Sequence, residues 1–206
     1  MGFYDRHILP HVLDCVCGLP PVTGQRRKVV PLAHGRVLEV GIGSGLNLAH
    51  YDRSRVTSLI GLDPGSELVA IARRRARRAQ MRVEFLELEG ESIPLDSESV
   101  DTVVVTYTLC SIPDVERALG QMRRVLKRDG TLLFCEHGLA PDLGVVRWQR
   151  RIEPLWGKLA GGCHLTRDVP ALLRGTGFAV ELSEAAYLKG GPKFATYHYL
   201  GAARPG

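Results

Sequence analysis

Apolar, β-rich segments alternate with helical patterns along most of this chain, and this alternation restricts the fold more than any other feature. The predicted strands cover residues 36–42, 56–63, 82–89, 100–109 and 131–138, and the predicted helices between them cover residues 44–51, 64–80 and 114–130. Strands that are apolar along their whole length and separated by helices are typical of a parallel sheet covered on both faces. The sequence therefore predicts an α/β domain with a doubly wound, mostly parallel sheet.

The last third of the chain departs from this alternation. Residues 166–177 have the pattern of a capped helix, and residues 178–187 and 193–204 read as closing strands that pair antiparallel with each other. We expect one domain over residues 1–206, with a helical N-terminal cap in 1–30 and a substrate lid inserted at 141–168.

Charge and hydropathy limit the classes of protein to which the chain can belong. The net charge is +5, and the segment 72–80 carries much of the positive charge on one predicted helix. No aromatic residue interleaves with those arginines, so a solvated helix face is favoured over a nucleic-acid surface. No apolar run reaches the ~18 residues of a membrane span, and charges are scattered through the first residues. We expect a soluble, cytoplasmic protein.

Five cysteines are present, and their number and spacing argue against a disulfide framework. No CxxC pair occurs, and Cys15 and Cys17 are too close together for the usual spacing of a zinc knuckle. We therefore expect five reduced thiols and no metal site.

The stretch VLEVGIGSGLN at 37–47 places three glycines directly after the first predicted strand. Its GxGxG spacing differs from the dinucleotide pattern GxGxxG, and it lacks the lysine of a phosphate-binding loop. Glu39 would disfavour a pyrophosphate and suit a cationic group, while Asp63, after the second strand, can accept from a ribose diol. These residues indicate a nucleoside ligand that carries a carboxylate and a cation, a description that S-adenosylmethionine fits.

Beyond this loop, the chain resembles the class I S-adenosylmethionine-dependent methyltransferases. The matching motifs are residues 37–45, 60–72, 89–114 and 123–134. The resemblance implies a Rossmann-like fold, S-adenosylmethionine as cofactor and S-adenosylhomocysteine as product. In the family, these motifs hold the methionine part, the ribose and the adenine in turn. The cofactor-binding residues implied are Glu39, Gly41, Gly43, Gly45, Asn47, Asp63, Pro64, Glu89, Gly90, Glu91 and Thr106.

Candidate acceptor-site residues lie after the fourth and fifth strands and outside the common core. We predict catalytic roles for Tyr107 and for His137, which directly follows the fifth strand at the edge where ligands bind in such sheets. Trp148 and Trp156 lie eight residues apart, which indicates one face of a helix that packs onto the sheet. The predicted substrate contacts are Tyr4, His7, Trp148, Cys163 and His164.

A narrower resemblance concerns the acceptor. The stretches TYTLCSIPD, LLFCEHG and GGCHLTRD are similar to a family of alkyl thiol methyltransferases. This similarity implies a small thiol or sulfide as substrate. We further expect a monomer or homodimer that binds no nucleic acid and does not insert stably into a membrane. The members of that family known as membrane-associated carry an apolar N-terminal anchor. The N-terminal residues here show no such pattern, so we expect a soluble, bacterial-type relative. Phospholipid N-methylation and quinone C-methylation remain alternatives, as does a noncatalytic module that binds S-adenosylmethionine or RNA.

Overall fold

The computed structural model describes Tyr4 and residues 8–206, and a seven-stranded sheet forms its centre. The strands are β1 (Gly35–Val40), β2 (Val56–Leu62), β3 (Val83–Leu86), β4 (Val100–Thr106), β5 (Leu126–His137), β6 (Phe178–Tyr187) and β7 (Tyr197–Pro205). They lie in the order β3-β2-β1-β4-β5-β7-β6. Strands β1 to β5 pair parallel, whereas β7 pairs antiparallel with both β5 and β6. This arrangement confirms the predicted Rossmann-like, mostly parallel sheet with an antiparallel C-terminal end.

Helices cover the sheet. They are α1 (Leu9–Cys17), α2 (Pro20–Val29), α3 (Ser66–Arg78), α4 (Val115–Val125), α5 (Leu143–Leu159), α6 (Val169–Gly175) and the short α7 (Lys193–Thr196). Aspartates define two of the helix starts: Asp114 accepts from Arg117 N at 3.0 Å, and Asp168 accepts from Ala171 N at 3.0 Å. Such N-caps satisfy backbone donors that have no partner within the helix. No helix in the described part of the chain is long and apolar enough to cross a lipid bilayer.

Both faces of the sheet are buried, as alternation along β4 shows. Val103 and Val105 are fully buried in one apolar cluster together with Met122 of α4. Val104 points to the opposite face and packs in a second cluster with Val29 of α2. Because successive side chains of a strand point to opposite faces, a strand buried on both sides needs an uninterrupted apolar sequence.

Two predicted helices differ from the structure. Residues 44–51 form a series of turns, in which Leu48 N donates to Gly45 O and His50 N donates to Asn47 O. Gly45 has φ +80°, which a right-handed helix does not allow. The predicted helix over 114–130 ends at Val125, because Leu126 already pairs with Val100 at the start of β5. Sheet pairing there outweighs the helix propensity of the basic residues that follow.

The parallel strands bring their carboxyl ends to one edge of the sheet. Val40, Leu62, Thr106 and His137 end β1, β2, β4 and β5 there. Ligands of doubly wound sheets bind at this edge, next to the strand-order reversal at β1 and β4.

Candidate active site

A cavity of about 490 Å³ lies at the carboxyl edge of the sheet. Its walls include Gly41, Asp63 and Thr106 from the strand ends, with His137 and Trp156 on another part of the lining. Residues of α1, α2 and α5 complete it, together with the segment 188–196. The volume falls within the range of small-molecule sites.

Two glycines of the loop after β1 have positive φ but different surroundings. Gly41 has φ +73°, and a Cβ there would overlap the side chain of Thr108. Gly43 has φ +51°, but the nearest atoms to a Cβ at that position are 4.0 Å away. The loop can therefore pack against residue 108 and still present its backbone to the cavity.

Asp63 is held by the same loop. Its Oδ2 accepts from Gly43 N at 2.9 Å and its Oδ1 accepts from Gly65 N at 2.8 Å. Burial raises the pKa of Asp63, and these two backbone hydrogen bonds act in the opposite direction. Each carboxylate oxygen keeps a lone pair that can accept from a hydroxyl group in the cavity.

Arg26 of α2 is a site residue that the sequence analysis missed. Its side chain lines the cavity although the residue is only 5% exposed. Nη1 donates to Thr106 Oγ1 at 2.6 Å and to Asn47 Oδ1 at 2.8 Å, and Cζ lies 4.8 Å from the centre of the Tyr107 ring. Nε is buried without a partner. In the sequence, Arg26 belongs to the basic run QRRK and nothing distinguishes it from a solvated helix residue.

Glu39 lies behind the loop and does not line the cavity. It accepts from Asn47 Nδ2 at 2.9 Å and from the Tyr51 hydroxyl at 2.7 Å. Burial raises the pKa of Glu39 to about 7, although these two hydrogen bonds act to lower it. Glu39 and Asn47 therefore position Arg26 and Thr106, whereas the sequence analysis expected both to contact the ligand.

The predicted adenine-binding residues lie outside the cavity lining. Gly90 is buried against Val40 and Ile112, and Glu91 accepts from Asp114 N at 3.2 Å, before the start of α4. The remaining predicted cofactor residues outside the lining are Gly45, Pro64 and Glu89. Gly45 packs closely on α3, since a Cβ there would lie 3.2 Å from Ala72. Leu46 and Leu68 line the cavity instead.

One arginine of the basic segment 72–80 supports the site from outside. Arg75 binds Asp14 of α1 at 2.6 Å and donates to Ser44 O in the glycine loop at 2.9 Å. The hydrogen bond from Arg75 lowers the pKa of Asp14. Arg75 thus links α1 to the glycine loop.

Sulfur and imidazole groups gather at the end of β5. His137 Nε2 lies 3.2 Å from Cys163 Sγ, and Trp156 Nε1 donates to the same sulfur at 3.3 Å. Hydrogen bonds from Cys110, His137 and Trp156 lower the pKa of the Cys163 thiol, although burial opposes them. Burial favours the neutral ring of His137, but the hydrogen bond with Cys163 raises its pKa overall.

Tyr107 has an unusual backbone at the end of β4. Its φ is +55°, a left-handed conformation that is strained for an aromatic residue. The ring packs edge-on against His198 at 5.4 Å, and Cys135 Sγ donates to the hydroxyl at 3.3 Å. Burial raises the pKa of Tyr107 well above its usual value, so the hydroxyl stays protonated and suits orientation better than proton removal.

Buried Glu136 holds the turn that follows Tyr107. Its Oε1 accepts from Thr108 N at 2.8 Å and from Leu109 N at 3.1 Å, while Oε2 has no partner. Burial raises the pKa of Glu136 to about 7. This carboxylate fixes the backbone that carries Cys110.

Of the predicted substrate contacts, only Cys163 lines the cavity among the described residues. Tyr4 donates to Leu159 O at 2.9 Å, and His164 Nδ1 lies 3.0 Å from Glu153 Oε1. Trp148 is 62% exposed, whereas Trp156 lines the cavity. Eight residues of helix add roughly 80° to two full turns, so these tryptophans do not share a face as expected. His7 lies outside the described residues.

Comparison with known proteins indicates the family to which this chain belongs. The methyltransferase domain family matches residues 38–134. Thiol S-methyltransferase TMT1B of Rattus norvegicus is 34% identical over 134 residues, which are 64% of this chain and 55% of that protein. The chain thus matches little more than half the length of that relative. Demethylmenaquinone methyltransferase of Thermus thermophilus is 32% identical over 155 residues, 70% of each chain.

The fold has a close counterpart among solved structures. A SAM-dependent methyltransferase from Thermotoga maritima superposes with a TM-score of 0.67 at 21% identity, over 98% of each chain. The cavity suits S-adenosylmethionine, because Asp63 offers acceptors, Arg26 offers a buried cation with a free donor, and Gly43 leaves open space. From the sheet, the glycine loop and these relatives together, the chain belongs to the class I S-adenosylmethionine-dependent methyltransferases.

Proposed function

We propose that this protein methylates the sulfur of a small thiol or of hydrogen sulfide. The observation that carries the proposal is the pairing of His137 Nε2 with Cys163 Sγ at 3.2 Å, in the cavity that Asp63 also lines. The similarity to a thiol S-methyltransferase supports the same acceptor class.

The polar groups of the cavity suggest how its cofactor half would bind S-adenosylmethionine. S-adenosylmethionine supplies a methyl group on a positively charged sulfur, which a nucleophile takes by in-line displacement. We assign Asp63 to the ribose hydroxyls, the loop from Gly41 to Gly43 to the amino-acid end and Arg26 to its carboxylate. Burial of these groups strengthens their electrostatic interactions, because little water competes for them.

The acceptor half of the cavity has apolar walls together with imidazole and thiol groups. Leu13, Val16 and Val22 of α1 and α2 line the cavity, together with His137 and Cys163. A thiol has a pKa near ~8.5, so it needs less activation than a carbon acid or an amine. We assign His137, together with Cys163, the orientation of the acceptor sulfur, and the neutral Tyr107 a place beside it.

We also assign the predicted cap and lid to helices that flank the cavity. In this proposal α1 and α2 cap the cofactor side. The segment 141–168, which contains α5, covers the acceptor side through Trp156, Gly161 and Cys163. An acceptor enclosed in this way must be small.

A product assay tests the proposed substrate class. The protein is incubated with methyl-labelled S-adenosylmethionine and, in separate reactions, with sulfide, small thiols, aminophospholipid vesicles and reduced quinones. We expect label in a methyl thioether when the acceptor is a thiol and in methanethiol when it is sulfide. Label recovered only in lipid or quinone would overturn the proposal.

Two histidine variants locate the acceptor. His137→Ala should lower kcat/KM for the thiol by about 100-fold, the loss expected when a reacting group is misplaced by about 1 Å. His164→Ala is the matched control, because that side chain contacts Glu153 and lies outside the cavity. Equal losses in the two variants would remove His137 from the acceptor site.

Quinone C-methylation is the second candidate, and one surface feature favours it. Ile8, Val12, Val16 and Leu19 are each more than 40% exposed at and around α1, and the last two also line the cavity. An exposed apolar stripe beside a cavity can receive a lipid-like acceptor from a membrane surface. The same assay distinguishes it, since the label would then appear in the quinone.

A further inference from the structure

We propose that Cys110, His137 and Cys163 bind a zinc ion and leave its fourth position open to the cavity. The metal site depends only on these side chains. The fourth ligand, a substrate thiolate, rests on the proposed function.

The distances between the ligand atoms suit a tetrahedral ion. The two cysteine sulfurs and one histidine ring nitrogen all lie within 4.8 Å of one another. In a tetrahedral site with bonds of ~2.3 Å to sulfur and ~2.0 Å to nitrogen, ligand atoms are separated by roughly 3.5–3.8 Å. The separation of 3.2 Å between His137 Nε2 and Cys163 Sγ is therefore close to that required.

The three ligands come from separate segments of the chain, and hydrogen bonds hold these segments side by side. Cys110 follows β4, His137 ends β5 and Cys163 follows α5. His164 N donates to Cys110 O at 2.8 Å, which places the two cysteine-bearing segments side by side. Arg167 donates to Leu109 O and, at 2.7 Å, to Ile112 O on either side of Cys110. A site built in this way needs little reorganisation to bind an ion.

Neighbouring groups have the arrangement expected around a metal site. Trp156 Nε1 donates to Cys163 Sγ at 3.3 Å, as outer donors do toward metal-bound thiolates. The two thiolates and one imidazole would neutralise the charge of Zn²⁺. Cys135, by contrast, donates to Tyr107, and Cys15 is exposed. Cys17 lines the same cavity but is not among the ligand atoms that lie within 4.8 Å of one another.

The fourth coordination position of the proposed ion would be open because its three ligands line the cavity. Cys110, His137 and Cys163 all line the cavity that Asp63 and the glycine loop share. Three protein ligands with a vacant fourth position are typical of catalytic zinc sites, and two cysteines with one histidine are a known ligand set for them. Structural zinc sites, in contrast, have four protein ligands.

Such an ion would activate a thiol without a strong base. On coordination the thiol releases its proton to solvent and becomes a bound thiolate. Its sulfur then forms a bond to the methyl carbon, while the bond from that carbon to the sulfonium sulfur breaks and leaves its electron pair on that sulfur. The thioether product carries no negative charge and binds zinc more weakly, so it can leave.

Metal analysis of the full chain tests the site directly. Reduced protein is incubated with zinc, freed of unbound ion by gel filtration and analysed by mass spectrometry for metal. We expect one zinc per chain, lost in Cys110→Ser, His137→Ala and Cys163→Ser. Cys15→Ser is the matched control and should keep its zinc. Trp156→Phe should bind zinc about 10-fold more weakly, because it loses the donor to Cys163.

Cobalt substitution tests the wild-type chain and avoids the question of whether a variant folds. Co²⁺ bound by two cysteines should give a sulfur-to-cobalt charge-transfer band, which an added small thiol should change. Absence of zinc and of this band in a folded protein that still methylates thiols would overturn the metal site alone. Zinc binding with normal cobalt spectra but no thiol methylation would instead overturn the proposed function.

Discussion

Arg26 Nη1 donates to Asn47 Oδ1 at 2.8 Å, and this bond holds a buried guanidinium beside the glycine loop. Asn47 in turn donates to Glu39 at 2.9 Å. Since burial raises the pKa of Glu39 to about 7, that carboxyl group only partly balances the arginine at neutral pH. A buried cation without a full counter-charge is costly unless a ligand supplies an anion.

We predict that Arg26→Gln weakens the binding of S-adenosylhomocysteine by about 10- to 100-fold, the range of a hydrogen bond to a charged group. Isothermal titration calorimetry would measure the change. Adenosine, which lacks the carboxylate, is the control ligand and should lose little affinity. If both ligands lose affinity equally, Arg26 acts only by shaping the cavity.

We predict that Asp63→Asn weakens S-adenosylhomocysteine and adenosine alike, by about 10-fold, because both contain the ribose diol. The asparagine oxygen can still accept one of the two backbone hydrogen bonds that Asp63 now accepts. Titration calorimetry with the two ligands would measure the losses. Asp52→Asn, on the exposed turn before β2, serves as control, and unchanged binding in Asp63→Asn would remove the ribose assignment.

The sheet could be predicted from the sequence because apolar runs in its central strands alternate with helical patterns. Val103, Val104 and Val105 are buried on both faces of the sheet, as is typical of a parallel sheet between helices. The two strands that end the chain also pair antiparallel as expected, although residues 193–196 of the second predicted strand form α7. The predicted helix over 44–51 was wrong because Gly45 has φ +80° and packs against Ala72 of α3, a tertiary contact that the local apolar pattern does not reveal.

The site was only partly predictable, because some of its residues are brought to the cavity by tertiary packing and not by their position at a strand end. Gly41 and Asp63 directly follow β1 and β2 and His137 ends β5, so the topology alone brings them to one edge of the sheet. Arg26 comes from a helix before the sheet, and its burial depends on tertiary packing that no local pattern records. The cluster of Cys110, His137 and Cys163 is similarly invisible, because its members lie far apart in sequence and lack the close spacing of common zinc motifs.

We predict that Gly41→Ala destabilises the protein more than Gly43→Ala, by about 1–3 kcal/mol. Both substitutions place alanine at positive φ, which costs roughly 1 kcal/mol or more. Only the Cβ at residue 41 also overlaps the Thr108 side chain. Urea denaturation of both variants would measure the difference, and equal losses of stability would contradict this account of the loop.

The last prediction concerns the pH dependence of stability through Glu39. Its folded pKa of about 7 exceeds its usual value of 4.5, so the folded state binds this proton more tightly than the unfolded state does. The resulting stability is fully present below about pH 4.5 and is lost as the pH rises through 7. The groups that act on Glu39 are Tyr51, Asn47, Arg26 and Asp63.

Glu39→Gln removes this titration and keeps an oxygen that can accept a hydrogen bond from Asn47 or Tyr51. We expect the free energy of unfolding of the variant, relative to wild type, to rise by roughly 3 kcal/mol between about pH 4.5 and pH 8. Urea denaturation at several pH values would measure this difference. Glu181→Gln, at an exposed position on β6, is the control and should show no such trend. A constant difference between Glu39→Gln and wild type would show that Glu39 is ionised in the folded protein throughout this range.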